Sequence, residues 1–288
     1  MLLVLTAVIW GVAFVAQSEG SNYVGSNTFI GLRSLLAAAV LLPVILLSKK
    51  QGDSRKGVWR DGMLCGVLLF GASLAQQEGI AMGASAGKAG FLTAIYIVLV
   101  PLIHRFLFKR KTSPTIWLGV ALALVGLYLL CVHESFTFQL PDLLLLLCAL
   151  LFSFQILAVD RFSPHYDPIR LAAIQFLTCG VLGSLLMIPC DIAPVGLRAW
   201  AETLAIPGAW ISIGYAAVFS SALGYTFQIV SQRDLNPTVA SLIMSLESVF
   251  AALAGWLILR QVMSPREMLG SALVFAAILL AQIPPKKS

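Results

Sequence analysis

Glu247 has the strongest claim to chemistry in this chain. In "LIMSLESVFAAL" (242–253) it is a single carboxylate in a stretch with no other charge between Asp234 and Arg260. A carboxylate so placed can exchange a proton or face a cationic group, and ionisable residues inside apolar runs are expensive enough to mark a pathway by default. Its alternative is a structural, serine-bonded glutamate. Lys88 raises the same question from the other sign of charge: "GIAMGASAGKAG" (79–90) sets it among Gly79, Gly83, Gly87 and Gly90. Arg33, in "GLRSLL", is read as pairing or snorkelling near an interface. The amides Gln76, Gln77, Gln155 and Gln228, with Glu78, suit polar ligands or helix–helix bonds equally well. Trp10, Tyr96 and Tyr225 add ring faces with a polar tip, suited to a binding wall or to packing.

Other chemistries fit these residues poorly. "GASAG" (83–87) spells the G-x-S-x-G of hydrolase nucleophile elbows, but that motif needs a strand–turn–helix context and a histidine within reach of the serine. His104 and His165 are expected on the opposite side, and His133 in a different loop. No H-x-x-x-H, C-x-x-C or clustered carboxylate spacing suggests a metal, and no P-loop suggests direct ATP use. No cofactor is expected. The five cysteines (Cys65, Cys131, Cys148, Cys179, Cys190) are scattered and read as small apolar fillers.

The elements that must carry these residues follow from composition. With 288 residues, 59% hydrophobic and 11% charged, and a mean hydropathy of +0.92, the chain is too apolar for a water-soluble globule. Runs long enough to cross a bilayer as helices recur at 1–17, 28–47, 62–82, 86–104, 115–132, 140–158, 168–188, 208–230, 237–258 and 265–283, ten in all. The first lacks the basic leader and cleavage site of a signal peptide and is read as a retained span. Cytoplasmic loops retain Lys and Arg. With the N-terminus inside they hold Lys49, Lys50, Arg55, Lys56 and Arg60, then Arg105, Lys109, Arg110 and Lys111, then Arg161, Arg170 and Arg233. Lys286 and Lys287 lie on the tail, while the other side keeps Lys88, Arg198, Arg260 and Arg266. Both termini are therefore predicted to be cytoplasmic. The net charge of +6 reflects this bias and does not point to nucleic acid.

Comparing the chain with itself exposes a repeat. A shift of 151 residues aligns Gln77 with Gln228, Ala89 with Ala240, Tyr96 with Glu247, Val98 with Val249, Pro114 with Pro265 and Gly119 with Gly270. Nearer the N-terminus a shift of 142 aligns "AVIWGVAF" with "ALLFSFQI" and Arg33 with Gln175. Five spans per half is an odd number, so the second half must enter the membrane from the opposite side, an inverted repeat. The predicted fold is an all-α polytopic membrane protein of ten transmembrane helices. Residues 1–132 form the first repeat, 140–283 the second and 284–288 a cytoplasmic tail.

"AVIWGVAFVAQ" (7–17), "GLRSLLAAAVLLP" (31–43), "LGYTFQIVSQRDLNPTVASLIMSLESVFAALAGWLIL" (223–259) and "SPREMLGSALVFAAILL" (264–280) resemble the EamA-type members of the drug/metabolite transporter superfamily over essentially the whole chain. Ser248 departs from the proline usual after the glutamate, and "HRFLFKRK" (104–111) from the usual Gly-Glu turn. The resemblance implies a two-repeat carrier around a central cavity, in a family that moves amino acids, nucleosides, sugars and related metabolites.

The expectation is thus a secondary-active transporter working by alternating access in the plasma (inner) membrane. It would move a small polar metabolite such as an amino acid, with export as the expected direction and protons as the candidate coupling ion. It is not expected to be an enzyme. A membrane scaffold or receptor without transport is the alternative, disfavoured by the cost of Glu247; an intramembrane hydrolase ranks last. The candidate substrate residues are Trp10, Gln77, Lys88, Tyr96, Gln155, Tyr225, Gln228 and Glu247. "NPT" (236–238) reads as an asparagine cap with proline at the first helical position, so its repeat mate Ser85 is expected to cap the fourth span. That puts Lys88 in a first turn, where the helix dipole disfavours a cation. Its anionic partner is expected to be Glu78 or the substrate. Gly79, Gly83 and Gly87 are expected to let helices approach closely.

Overall fold

Apolar runs punctuated by prolines and small polar caps become helices, and every regular element of the described residues is helical. A computed structural model describes residues 1–47, 55–84, 86–109, 113–132, 138–259 and 264–281. The helices are α1 (Leu2–Ser21), α2 (Ser26–Leu47), α3 (Arg55–Ala81), α4 (Ala86–Ala94), α5 (Tyr96–Phe108), α6 (Pro114–Cys131), α7 (Leu140–Phe162) and α8 (Pro168–Met187). They continue as α9 (Leu197–Leu204), α10 (Pro207–Tyr215), α11 (Thr226–Gln232), α12 (Pro237–Met244), α13 (Leu246–Leu259) and α14 (Pro265–Ala281). Proline at the first turn loses no hydrogen bond there, and at α6, α8 and α12 the residue before it supplies the cap. Ser113 accepts from the Ile116 amide at 3.4 Å, Asp167 from Ile169 and Arg170 at 3.0 and 3.1 Å, and Asn236 from Thr238 at 2.9 Å.

Eight helical stretches are long and apolar enough to cross a membrane, from Leu2–Ser21 to Pro207–Gln232, followed by the shorter apolar Pro237–Leu253. The last helix, α14, has 17 residues. The chain is a polytopic helical membrane protein. Leu42, Leu118 and Leu279 are more than half exposed on its outer faces, as side chains meeting lipid would be.

Inside, helices approach through small residues, because lipid supplies no hydrophobic drive between them and close backbone contact must do so. A Cβ built on Gly270 of α14 would sit 2.6 Å from the Gly126 carbonyl oxygen of α6, and one on Gly183 of α8 would sit 2.8 Å from the Gly31 Cα of α2. Gly11 brings α1 equally close to α13: its Cβ would fall 2.7 Å from the Glu247 carbonyl oxygen and the Ala251 amide.

Several departures from straight helices were not expected. The fourth span bends at Ile95 between α4 and α5, and the ninth at Ser245 between α12 and α13, both residues keeping right-handed helical dihedrals. Between α10 and α11 the ladder widens to a π-helix over Ala216–Tyr225, an irregularity found often at functional sites. Gly83 also corrects the expectation of a packing glycine. It has φ +96° and nothing within 4 Å of a built Cβ, so it serves the turn after α3, whereas Gly79 does pack, against Leu145 and the Pro141 carbonyl of α7. Ser85, His133, Arg260, the cations Lys49, Lys50, Arg110, Lys111, Lys286 and Lys287, and the tail 284–288 lie outside the described residues.

Candidate functional site

The bends converge on one place. Tyr96 is the first residue of α5, just past the bend at Ile95, and Glu247 is the second of α13, just past the bend at Ser245. The Tyr96 hydroxyl donates to Glu247 Oε1 at 3.2 Å. Both are almost wholly buried, at 4% and 5% exposure. The backbone ladder continues through both bends: Leu99 donates to the Ile95 carbonyl at 3.2 Å and Ser245 to the Ser241 carbonyl at 3.1 Å. Ser245 Oγ also donates to the Leu242 carbonyl at 2.7 Å.

Tyr96 and Glu247 line a buried cavity with Trp10, Gln155, Tyr225 and Gln228. Six of the eight sequence candidates thus face one space. α1 contributes Trp10, whose indole donates to the Ser220 carbonyl at 3.1 Å and lies 4.7 Å from the Tyr225 ring. That carbonyl belongs to the π-helix, so the irregular ladder offers a backbone acceptor to the cavity wall. The amides form a chain: Gln228 Nε2 donates to Gln155 Oε1 at 3.4 Å, and Gln155 Nε2 to Gln175 Oε1 at 3.1 Å. Gln228 Oε1 is buried without a hydrogen-bond partner among the described residues, so the chain retains acceptor capacity.

The remaining two candidates stand apart. Gln77 is buried behind the wall and donates to the Gln17 carbonyl at 3.2 Å. Lys88 does not line the cavity. Its ammonium meets Asp142 at 2.8 Å, which corrects the expected partner Glu78. Asp142 also accepts from the Gln139 amide at 2.7 Å, so one carboxylate caps α7 and ties it to the start of α4. The physical reason is reach: Asp142 sits in the first turn of α7, where the positive helix end favours an anion, beside the equally early Lys88.

Gln76, named among the amides but outside the eight candidates, also lines the cavity, and its Nε2 donates to Thr93 Oγ1 at 3.2 Å. Sequence reasoning missed Gln17 and Thr93, which line it too. Phe14, Phe152 and Met244 supply apolar wall. Arg33 was expected to lie near an interface; it lines the cavity instead and is 7% exposed. Its charge was visible in the sequence, but its inward direction depends on how α2 packs against α8.

The cavity holds about 40 Å³, room for a few waters and far below the roughly 300 Å³ of a small-molecule site. This conformation is contracted, so a metabolite could enter only if the helices moved apart. Outside the cavity two carboxylates make further polar contacts. Beside α2, Asp191 accepts from the Thr28 amide and hydroxyl at 2.6 and 2.7 Å and from Asn27 at 3.2 Å. At the start of α3, Asp61 accepts from Tyr166 at 2.8 Å and Arg60 at 2.9 Å. No group of three or more His, Cys, Asp or Glu that could hold a metal occurs among the described residues.

The model of the EamA-like transporter family matches residues 1–132 and again 139–282. An uncharacterized transporter of Archaeoglobus fulgidus is 26% identical over 98% of this chain and 84% of its own length. The uncharacterized inner membrane transporter YedA of Escherichia coli K12 is 24% identical over 95% and 87%. A third relative, the uncharacterized transporter sll0355 of Synechocystis, is 23% identical over 97% and 88%. In three dimensions, a protein solved by crystallography shares the fold with a TM-score of 0.78 at 18% identity, over 97% of this chain and 95% of that one.

Proposed function

Because this chain belongs to the EamA-like transporter family and is a membrane transporter, we propose that it is a secondary-active carrier whose cargo binds in the cavity between Tyr96 and Glu247. The observation that carries this reading is the hydrogen bond between those two residues, each just past a matched bend in its helix. Carriers built from two repeats place cargo and coupling ions at the repeat interface. A carboxylate there is costly unless it is used.

In this reading the chain is ten helices in two inverted repeats, 1–132 and 140–283, with both termini cytoplasmic. Three contacts support the repeat. Tyr96 and Glu247, aligned by the shift of 151, touch each other. Gly119 packs on Ala277 while its mate Gly270 packs on Gly126, the mate of Ala277. Such reciprocal pairing is what a two-fold axis produces. Alternating access then consists of parting one end of the bundle at a time around the fixed cavity. The cargo is a small polar metabolite such as an amino acid, moved outward, with Glu247 as the site of a coupling proton.

Uptake of a panel of radiolabelled amino acids and related metabolites into liposomes holding the purified protein tests this. Saturable uptake of at least one compound, lost in Glu247→Ala, supports the carrier. A folded protein that moves none of them would favour the scaffold reading.

A further inference from the structure

Among the described residues that line the cavity, Arg33 is the one charge that the proposed coupling site does not employ. It lies in α2, lines the same cavity as Glu247 and is 7% exposed. Its guanidinium stands 5.6 Å from the centre of the buried Phe29 ring. Its Nε is buried with no hydrogen-bond partner among the described residues. Among those residues no carboxylate lies within ion-pair distance of it, Glu247 included. A guanidinium does not give up its proton in a protein, so this charge is permanent. A ring face offsets part of its desolvation, but the buried Nε lacks an acceptor among the described residues. A fold that keeps such a group has a use for it.

Within the proposed repeat, Arg33 aligns with Gln175, a wholly buried neutral amide that accepts from Gln155. Glu247 aligns with Tyr96, also neutral. Each half therefore contributes one charge where the other has an uncharged hydrogen-bonding residue, and the two charges are opposite. The symmetric scaffold is polarised, cation on the α2 side and acid on the α13 side.

We propose that Arg33 is the anchor for a carboxylate group of the cargo, which makes this carrier selective for carboxylate-bearing metabolites. The planar fork of the guanidinium matches a carboxylate through two parallel hydrogen bonds. An amino acid would complete both charges at once, its carboxylate on Arg33 and its ammonium turned toward Glu247. The inference rests on the carrier reading for its location in the cargo site.

The test compares each of the common amino acids with its α-amide, and both with inorganic phosphate, by thermal stabilisation of the detergent-purified full chain. Wild-type protein is expected to be stabilised by one or more acids and not by the matching amides. Arg33→Gln should weaken that binding about ten- to a hundredfold, and Arg33→Lys should keep part of it. Equal stabilisation by acid and amide, unaltered binding in Arg33→Gln, stabilisation by phosphate alone, or no stabilisation by any acid would each overturn the assignment. If Arg33→Gln does not fold, the acid–amide comparison on the wild type decides. Liposome uptake separates the two readings. Transport of an uncharged or purely cationic cargo would leave the carrier standing and remove Arg33 as its anchor. Arg33-dependent carboxylate binding without transport would do the reverse.

Discussion

The Tyr96 hydroxyl donates to Glu247 Oε1 at 3.2 Å, and the two residues are 151 positions apart, the same offset that aligns the two halves of the sequence. Under the proposed repeat a residue touches its own mate only at the symmetry axis, so this hydrogen bond marks the centre of the carrier. Tyr96→Phe removes the donor and keeps the ring. The expected cost in thermal stability is small, about 1 kcal/mol, while the transport rate should fall severalfold. Wild-type transport by a folded Tyr96→Phe protein would show that the contact is packing only.

Lys88 and Asp142 join the starts of α4 and α7 at 2.8 Å, with the Asp142 side chain 1% exposed and that of Lys88 21%. Removing only the cation leaves a buried carboxylate without its ammonium. Lys88→Gln should therefore lower the melting temperature, by the equivalent of about 1–3 kcal/mol. Adding Asp142→Asn should recover part of the loss, a positive coupling in a double-mutant cycle. Independent effects of the two changes would contradict a structural pair, and loss of affinity for anionic cargo without loss of stability would return Lys88 to the binding residues.

Gly11 holds α1 against the helix that carries Glu247. A methyl group there would fall 2.7 Å from two backbone atoms of α13, which cannot rotate aside. Gly11→Ala is expected to destabilise by about 1–3 kcal/mol through overpacking and to shift Glu247 against Trp10. Melting temperature and transport should fall together. Unchanged stability would mean that α1 and α13 do not pack this closely.

Topology is testable by side-specific labelling. Val195 lies between α8 and α9 and is 58% exposed; Asp234 is exposed between α11 and α12. In a cysteine-free background, Val195→Cys should react with a membrane-impermeant maleimide on intact cells, and Asp234→Cys only after permeabilisation. Labelling of both from one side would overturn the inverted repeat and the orientation together.

What the sequence made legible was whatever depends on local pattern. Helical spans follow from apolar runs, and the Asn236 cap follows from a polar residue before Pro237. Glu247 was legible as a cost, since no other charge shares its run. Pairings across the bundle were not legible. Lys88 finds Asp142, 54 residues away, rather than the nearer Glu78, because helix neighbours are chosen by packing. The inward turn of Arg33 depends likewise on α2 resting against α8 through Gly31 and Gly183. The bends at Ile95 and Ser245 carry no proline or glycine at the bend itself, so no breaker residue announces them. Gly83 resembled a packing glycine by its spacing from Gly79, but its positive φ makes it a turn residue.

The most direct measurement is of proton coupling at Glu247. A radiolabelled cargo is followed into liposomes holding wild-type or Glu247→Gln protein, at clamped membrane potential, with and without an imposed pH difference. Wild-type uptake should accelerate with the gradient. Glu247→Gln, a neutral side chain of nearly the same shape, should fold, still exchange cargo down its own gradient, and show no response to the pH difference. Full proton-driven uptake by Glu247→Gln would contradict the assignment and leave Glu247 as a structural partner of Tyr96.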